Sequence, residues 1–247
     1  MLNRFSRTEL LLGEENMSKL AQSKIAIFGI GGVGSYVAEG LARCGIGEFI
    51  LIDSDDISPT NINRQIHALE TTIGQKKTLM MKERILSINP QAKVTTIEKL
   101  YTPESNFFNW DDDYTYIVDA VDDVKAKINL IVNANKHNLP IMSSMGTANK
   151  LDPQKFVITD IYKTHTCPLA RIMRKTLKQQ GIKKLKVLYS TEEPFTNYTV
   201  NFKENTSKDN SPASTRKQPL GSISFVPPIA GLMIAGEIVK DICQINR

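Results

Sequence analysis

The stretch IAIFGIGGVGSYVAEGLARCGIGEFILIDSDDISPTNINRQ, residues 25–65, constrains what this chain can fold into more than any other part of it. An apolar run leads into Gly29-x-Gly31-x-x-Gly34, an amphipathic segment follows, and a second apolar run ends on Asp53. That order reads as strand, tight turn, helix and second strand. The glycines meet three needs: a sharp turn, a backbone bare enough for a phosphate to approach, and close contact between helix and strand. Unpaired N–H groups at the helix start then face an anion. Asp53, at the tip of the second strand, sits where a ribose hydroxyl is held in such units, or else caps a helix.

The first half keeps alternating. Strands are expected at 24–28, 48–53, 93–99, 115–121 and 140–145, with helices at 34–45, 75–88 and 123–137 between them. Such alternation builds a mostly parallel sheet with helices on both faces. After Gly146 the texture changes. KFVITDIY (155–162) and LKVLYST (185–191) alternate as strands, with antiparallel pairing expected there. Pro168 opens a helix with Leu169, Ile172, Met173 and Leu177 on one face and Arg171, Arg174, Lys175 and Lys178 on the other. A strand at 221–225 and a helix at 228–243 close the chain. The whole reads as one domain, with a nucleotide-binding half (1–150) and a substrate-binding half (151–247) whose loop 203–219, nearly free of apolar residues, is expected to be mobile.

Composition narrows the setting. An apolar content of 41% over 247 residues is enough for a sizeable core. Cys44, Cys167 and Cys243 form no C-x-x-C pair and no disulfide framework, which suits a reduced cytoplasmic location. The N-terminus carries Glu9, Glu14 and Glu15 and no long apolar run, so no signal peptide is expected. FVPPIAGLMIAG near the end is too short to span a bilayer, so no stable membrane insertion is expected either. The net charge of +5 is concentrated: residues 163–186 hold eight Lys or Arg and no acid, while acids outnumber bases elsewhere. A polyanion could read that window, and a solvated helix face is the plainer explanation.

The glycine loop alone does not distinguish NAD from ATP. The residues beyond Asp53 do. Hydride transfer needs no added cations at the pyrophosphate, whereas breaking a phosphoanhydride does, because charge grows on the leaving group. Arg64 lies just past the acid, and Lys77 follows thirteen residues later in the helical run GQKKTLMMKERI. Both are placed to reach phosphates. Asp122 falls at the carboxyl edge of the sheet in VDAVDDVKAK, where a carboxylate can hold Mg²⁺ against phosphates. It could equally cap the next helix, a role Asp123 fills as well.

With these residues assembled, the chain resembles the ThiF/MoeB-type adenylating enzymes, relatives of the ubiquitin-activating enzymes, over nearly its whole length. Gly29, Gly31, Gly32, Val33, Gly34, Asp53, Asp55, Asn61, Asn63, Arg64, Gln65, Lys77 and Asp122 fall in the family's order and spacing. The resemblance implies a Rossmann-like fold with an antiparallel extension in the C-terminal half. It implies ATP on the glycine loop with Asp53 at the ribose, Arg64 and Lys77 at the phosphates, and Mg²⁺ on Asp122. It also implies a homodimer in which Arg7, from RFSR, reaches the partner's site. Arg64, Lys77, Asp122 and Arg7 are then the catalytic set.

Within the family the nearest branch is the one that dehydrates threonylcarbamoyladenosine in tRNA, on the strength of RFSRTELLLGEENMSKLAQSKIAIFGIGGVGSYVAEGLARCGIGEFILID, Asp152-Pro153, the Lys163–Arg171 run and YSTEEP. The expected reaction is ATP-dependent adenylation of that nucleoside's carboxylate followed by ring closure. Lys163, Arg171, Arg174, Lys175 and Lys178 are the candidate tRNA contacts. A monovalent cation (Na⁺ or K⁺) and a cysteine-desulfurase or sulfur-acceptor partner are compatible with the resemblance. The C-x-x-C pairs that hold zinc in the sulfur-carrier branch are missing, so no zinc is expected. The alternative is MoeB/ThiF-like adenylation of a ubiquitin-like carrier's C-terminus. An NAD-binding dehydrogenase or sensor is a second rival, in which Arg64, Lys77 and Asp122 have no task.

Overall fold

A computed structural model describes residues 2–195 and 220–245; the loop expected at 203–219 lies outside them. Helices α1 (Ser6–Leu12) and α2 (Glu14–Gln22) lead into β1 (Lys24–Phe28), α3 (Gly34–Arg43), β2 (Glu48–Ile52), α4 (Lys77–Ile88) and β3 (Lys93–Ile97). Then come β4 (Tyr116–Asp119), α5 (Val124–Lys136), β5 (Ile141–Ser144), β6 (Phe156–Asp160), α6 (Pro168–Gln179), β7 (Lys186–Ser190) and α7 (Val226–Ile242).

The strands form one seven-stranded sheet in the order β3-β2-β1-β4-β5-β7-β6. All neighbours are parallel except β6 and β7, which pair antiparallel with Phe156 opposite Ser190 and Asp160 opposite Lys186. The expected α/β fold with an antiparallel extension is therefore what forms. Strand order reverses between β1 and β4, and such a switch point leaves a crevice at the carboxyl ends of the strands.

Alternation along each strand decides which layer covers which face. Ile25 and Ile27 of β1 join Phe49 and Leu51 of β2 under α3, α4 and α7. Ala26 and Phe28, with Ile50 and Ile52, face α5 and an aromatic wrap of Tyr101, Phe108 and Tyr114. Burial of both faces explains why these strands read as continuous apolar runs. Helix α7 packs tightly on α3: a Cβ added at Gly231 would stand 2.4 Å from the Val33 carbonyl oxygen. Pro227 and Pro228 sit in its first turn, where a missing N–H costs nothing, so the prolines start this helix two residues before the expected position.

Two expectations are corrected. Residues 221–225 are not a strand. Gly221 exchanges hydrogen bonds with Asn149 and Ser222 accepts one from Asn63, so side chains and a loop, not a sheet edge, satisfy this backbone. On α6, Ile172 is not on the packed face. The buried arc is Ala170, Met173 and Leu177, and Ile172, about 130° away around the helix, is half exposed. Among the described residues no helix is long and apolar enough to cross a membrane.

Candidate functional site

A cleft of about 600 Å³ opens at the carboxyl ends of the strands. Gly29, Gly31, Gly32, Val33, Asp53, Asp55, Asn61, Arg64, Gln65, Lys77 and Asp122, widely separated in the chain, all line it. Gly34 lies beneath, and a Cβ there would fall 1.8 Å from the Gly29 carbonyl oxygen. Gly29 has φ 88° and a Cβ position 2.6 Å from the Ala120 oxygen, so only glycine makes this turn. Above Gly31 there is room, since a Cβ added there would come no nearer than 4.0 Å to a neighbouring side chain, at Gln65 Nε2. Among the described residues nothing accepts from the N–H groups of Gly31, Gly32 and Val33. Ahead of α3 they form a cradle of unpaired donors with the helix dipole behind them.

Asp53 ties the loop to β2. Its carboxylate accepts from Ile30 N at 2.7 Å and from Asp55 N at 2.9 Å, so it caps no helix. Burial raises its pKa, while the Lys77 charge and these two N–H groups pull the other way. Lys77, nearly buried, reaches Asp55 Oδ2 at 2.6 Å. Arg64 donates through Nη1 to the Thr60 carbonyl (2.8 Å) and to Asn63 Oδ1 (2.9 Å). Burial lowers its pKa, yet an arginine starts so high that it stays charged. Asn63 itself does not line the cleft; it positions Arg64 and donates to the Ser222 carbonyl at 3.0 Å. Gln65 is buried against the cleft with Oε1 unpartnered among the described residues. The two acids after β4 divide their duties: Asp123 caps α5 through Ala126 N at 2.8 Å, leaving Asp122 exposed in the cleft.

The remaining expected site residues lie elsewhere. Arg7 is exposed on α1 and does not line this chain's cleft. Lys163, Arg171, Lys175 and Lys178 are exposed on or just before α6, whose Leu169 borders the cleft. Arg174 differs. Its position on the helix leans toward the buried arc, and Nη1 is spent on the Thr164 carbonyl (2.9 Å) and hydroxyl. Lys186, in the same basic window, is paired with Glu237 and Asp241.

Sequence reasoning missed the polar core under the cleft. Lys127 and Asp119 are almost wholly buried and paired at 3.0 Å, with Ser143 Oγ donating to the other Asp119 oxygen at 2.5 Å. Lys127 also donates to the Val121 carbonyl at 2.9 Å, fixing the backbone that presents Asp122. A signal was available: on α5 the buried positions Lys127, Leu130, Ile131 and Ala134 form one helical stripe with a lysine in it.

His67 is also buried beside the site, with neither ring nitrogen partnered among the described residues. Burial, then the charges of Lys77 and Arg84, push its pKa down to about 4. Unfolded His67 binds a proton near pH 6.5 and the folded form does not, so stability falls as pH drops from about 6.5 toward 4. The expected loss is about 2–3 kcal/mol. Denaturant titrations of the wild type and His67→Leu should show a steeper acid-side decline in the wild type; parallel curves would refute it.

The ThiF family matches residues 5–247. The chain belongs to the ThiF family. This ThiF-family chain is 43% identical over 247 residues to the tRNA threonylcarbamoyladenosine dehydratase of Bacillus subtilis (strain 168), covering 99% of the chain and 96% of that protein. Crystal structures of the Escherichia coli tRNA N6-threonylcarbamoyladenosine dehydratase in complex with ATP and with AMP each superpose with a TM-score of 0.83 at 32% identity, covering 98% of this chain and 94% of theirs. Similarity to the Escherichia coli molybdopterin-synthase adenylyltransferase is lower, 27% over 63% of the chain.

Proposed function

We propose that this ThiF-family chain uses ATP to adenylate the carboxylate of threonylcarbamoyladenosine in tRNA and then closes the ring with net loss of water. One observation supports the reading: Arg64, Lys77 and Asp122 line the same cleft as the bare N–H groups of Gly31–Val33. A site built for hydride transfer has no use for those charges.

In this reading the triphosphate lies along Gly31–Val33, and the ribose meets the oxygen lone pairs that Asp53 has left. Arg64 and Lys77 stabilise the charge that develops as pyrophosphate leaves. Asp122, with no partner among the described residues, fits as the carboxylate that holds Mg²⁺, which would neutralise charge on the phosphates. The substrate carboxylate attacks the α-phosphate and displaces pyrophosphate. A nitrogen of the same substituent then attacks the activated carbonyl, and AMP departs. Because both reacting groups belong to one substituent, proximity supplies much of the second step.

The exposed cations Lys163, Arg171, Lys175 and Lys178 form a track that starts where Leu169 meets the cleft, suited to a tRNA backbone. Replacing Lys175 and Lys178 together with alanine should raise the KM for tRNA and flatten its salt dependence by about one slope unit per lost phosphate contact. ATP affinity should be unmoved, and an unchanged salt slope would remove α6 from the tRNA path. Helix α1 buries no residue and exposes Leu10 and Leu11, the kind of surface a second copy covers. This supports a homodimer in which Arg7 enters the partner's cleft.

The deciding experiment incubates the protein with MgATP and tRNA bearing threonylcarbamoyladenosine. Nucleoside mass analysis should show loss of one water. No mass shift, together with adenylation of a small carrier protein's C-terminus, would assign the chain to the other branch.

A further inference from the structure

Asn149 stands at the end of the cleft wall formed by Gly146, Thr147 and Ala148, with a left-handed backbone at φ 57°. Asn tolerates that conformation better than most residues. Three of its polar groups are engaged. The N–H donates to the Gly221 carbonyl at 2.8 Å, the side-chain Oδ1 accepts from Gly221 N at 2.7 Å, and the carbonyl accepts from Phe195 N at 2.9 Å. The next residue along, Ser222, lines the cleft and accepts from Asn63 Nδ2, while Asn63 Oδ1 holds Arg64.

An unbroken path of hydrogen bonds and one peptide link thus joins Arg64 to Asn149, at the end of the 146–148 stretch of the cleft lining. The residues that follow the wall are tied separately. The Glu192 carboxylate accepts from Leu151 N at 2.9 Å and Asp152 N at 3.0 Å, and Lys150 Nζ donates to the Glu192 carbonyl. The first tether ends on Arg64, whose side chain packs against Gly32 of the glycine cradle. The first fixes where the wall stands relative to Arg64, and the second braces the backbone just beyond the wall.

We propose that Asn149 is a positioning residue for ring closure, acting through the 146–149 wall and through Gly221, Ser222 and Asn63. The proposal rests on the reaction assigned above. Once the acyl-adenylate has formed, two nucleophiles compete for its carbonyl carbon. When the substituent's own nitrogen attacks, a C–N bond forms, the C–O bond to phosphate breaks, AMP leaves with the electron pair and the nitrogen's proton goes to solvent. When water attacks, the C–O bond to phosphate breaks in the same way, but the carboxylate is regenerated and the ATP is wasted. A wall held in register keeps the nitrogen in place and water out; a loosened wall lets hydrolysis compete.

The partition is directly readable as AMP released per cyclised nucleoside, which is one when coupling is complete. Asn149→Ala removes the Oδ1 contact and disfavours the left-handed backbone. It should slow ring closure about tenfold or more and raise the ratio well above one, with ATP affinity within about twofold of wild type. Asn149→Asp keeps an acceptor and tolerates the backbone, so it should return the ratio toward one. Asn149→Gly keeps only the backbone freedom and should fall between. Thermal melting of each variant separates loss of fold from loss of register, and Asn149→Ser takes the place of alanine if that variant does not fold. A ratio that stays at one, whether both products fall together or neither changes, overturns the role. Wild type releasing AMP with tRNA but never yielding the dehydrated nucleoside overturns the underlying reaction instead, and the two failures are distinct.

Discussion

Lys77→Ala should lower adenylation by about a hundredfold to a thousandfold, the scale of losing one preorganised charge at a developing anion. It should cost little stability. The ammonium is nearly buried, but its partner Asp55 leaves most of its carboxylate in water, so the stranded acid is readily solvated. Loss of the Lys77 charge also removes one of the influences holding the Asp53 pKa down against burial. Pyrophosphate release and denaturant unfolding measured on the same variant test the split. Full activity would remove Lys77 from the phosphate site, and global unfolding would recast it as a structural residue.

The second large effect comes from a lysine–aspartate pair with the opposite balance. Lys127→Met should destabilise the fold by about 3–5 kcal/mol, because Asp119 would be left almost wholly buried without its cationic partner. For a chain of this size that is a fall in Tm of about 10 °C or more. Ser143 and the Val121 N–H remain as partners of Asp119 but bring no positive charge. The Val121 carbonyl also loses its donor, so surviving activity should fall through looser placement of Asp122. A Tm within two or three degrees of wild type would mean that the pair stabilises far less than its burial implies. The two contacts differ little in length, and it is the exposure of the acid that sets their expected costs apart.

Much of the site is legible in residues 25–65. Glycine spacing, two apolar runs and an acid report local geometry, and local geometry survives into the fold. The order Arg64, Lys77, Asp122 is also readable, because each lies at a fixed place relative to a strand end. The features that escape sequence reading depend on contacts across the chain. Residues 221–225 have a strand-like composition, but their hydrogen bonds go to Asn63 and Asn149, about 160 and 70 positions earlier. Four apolar residues on α6 suggest one stripe that includes Ile172, whereas Ala170 does the packing and leaves Ile172 outside. In sequence Arg174 is indistinguishable from its basic neighbours, and only the fold brings Thr164 to hold it. The Asp122–Asp123 doublet cannot be divided from sequence, since either acid could cap α5 and only the folded turn shows that Asp123 does.

Strand β7 lies between β5 and β6, and the last helix returns to pack on the glycine-loop helix. The glycine-loop half of the chain and the half beyond Gly146 therefore share one sheet and one packed pair of helices. Transplanting residues 151–195 from a relative with a different acceptor would bring its own edge pairing and its own seat for α7. Changes of specificity in such a molecule are best sought in side chains along the cleft rim, where they disturb neither.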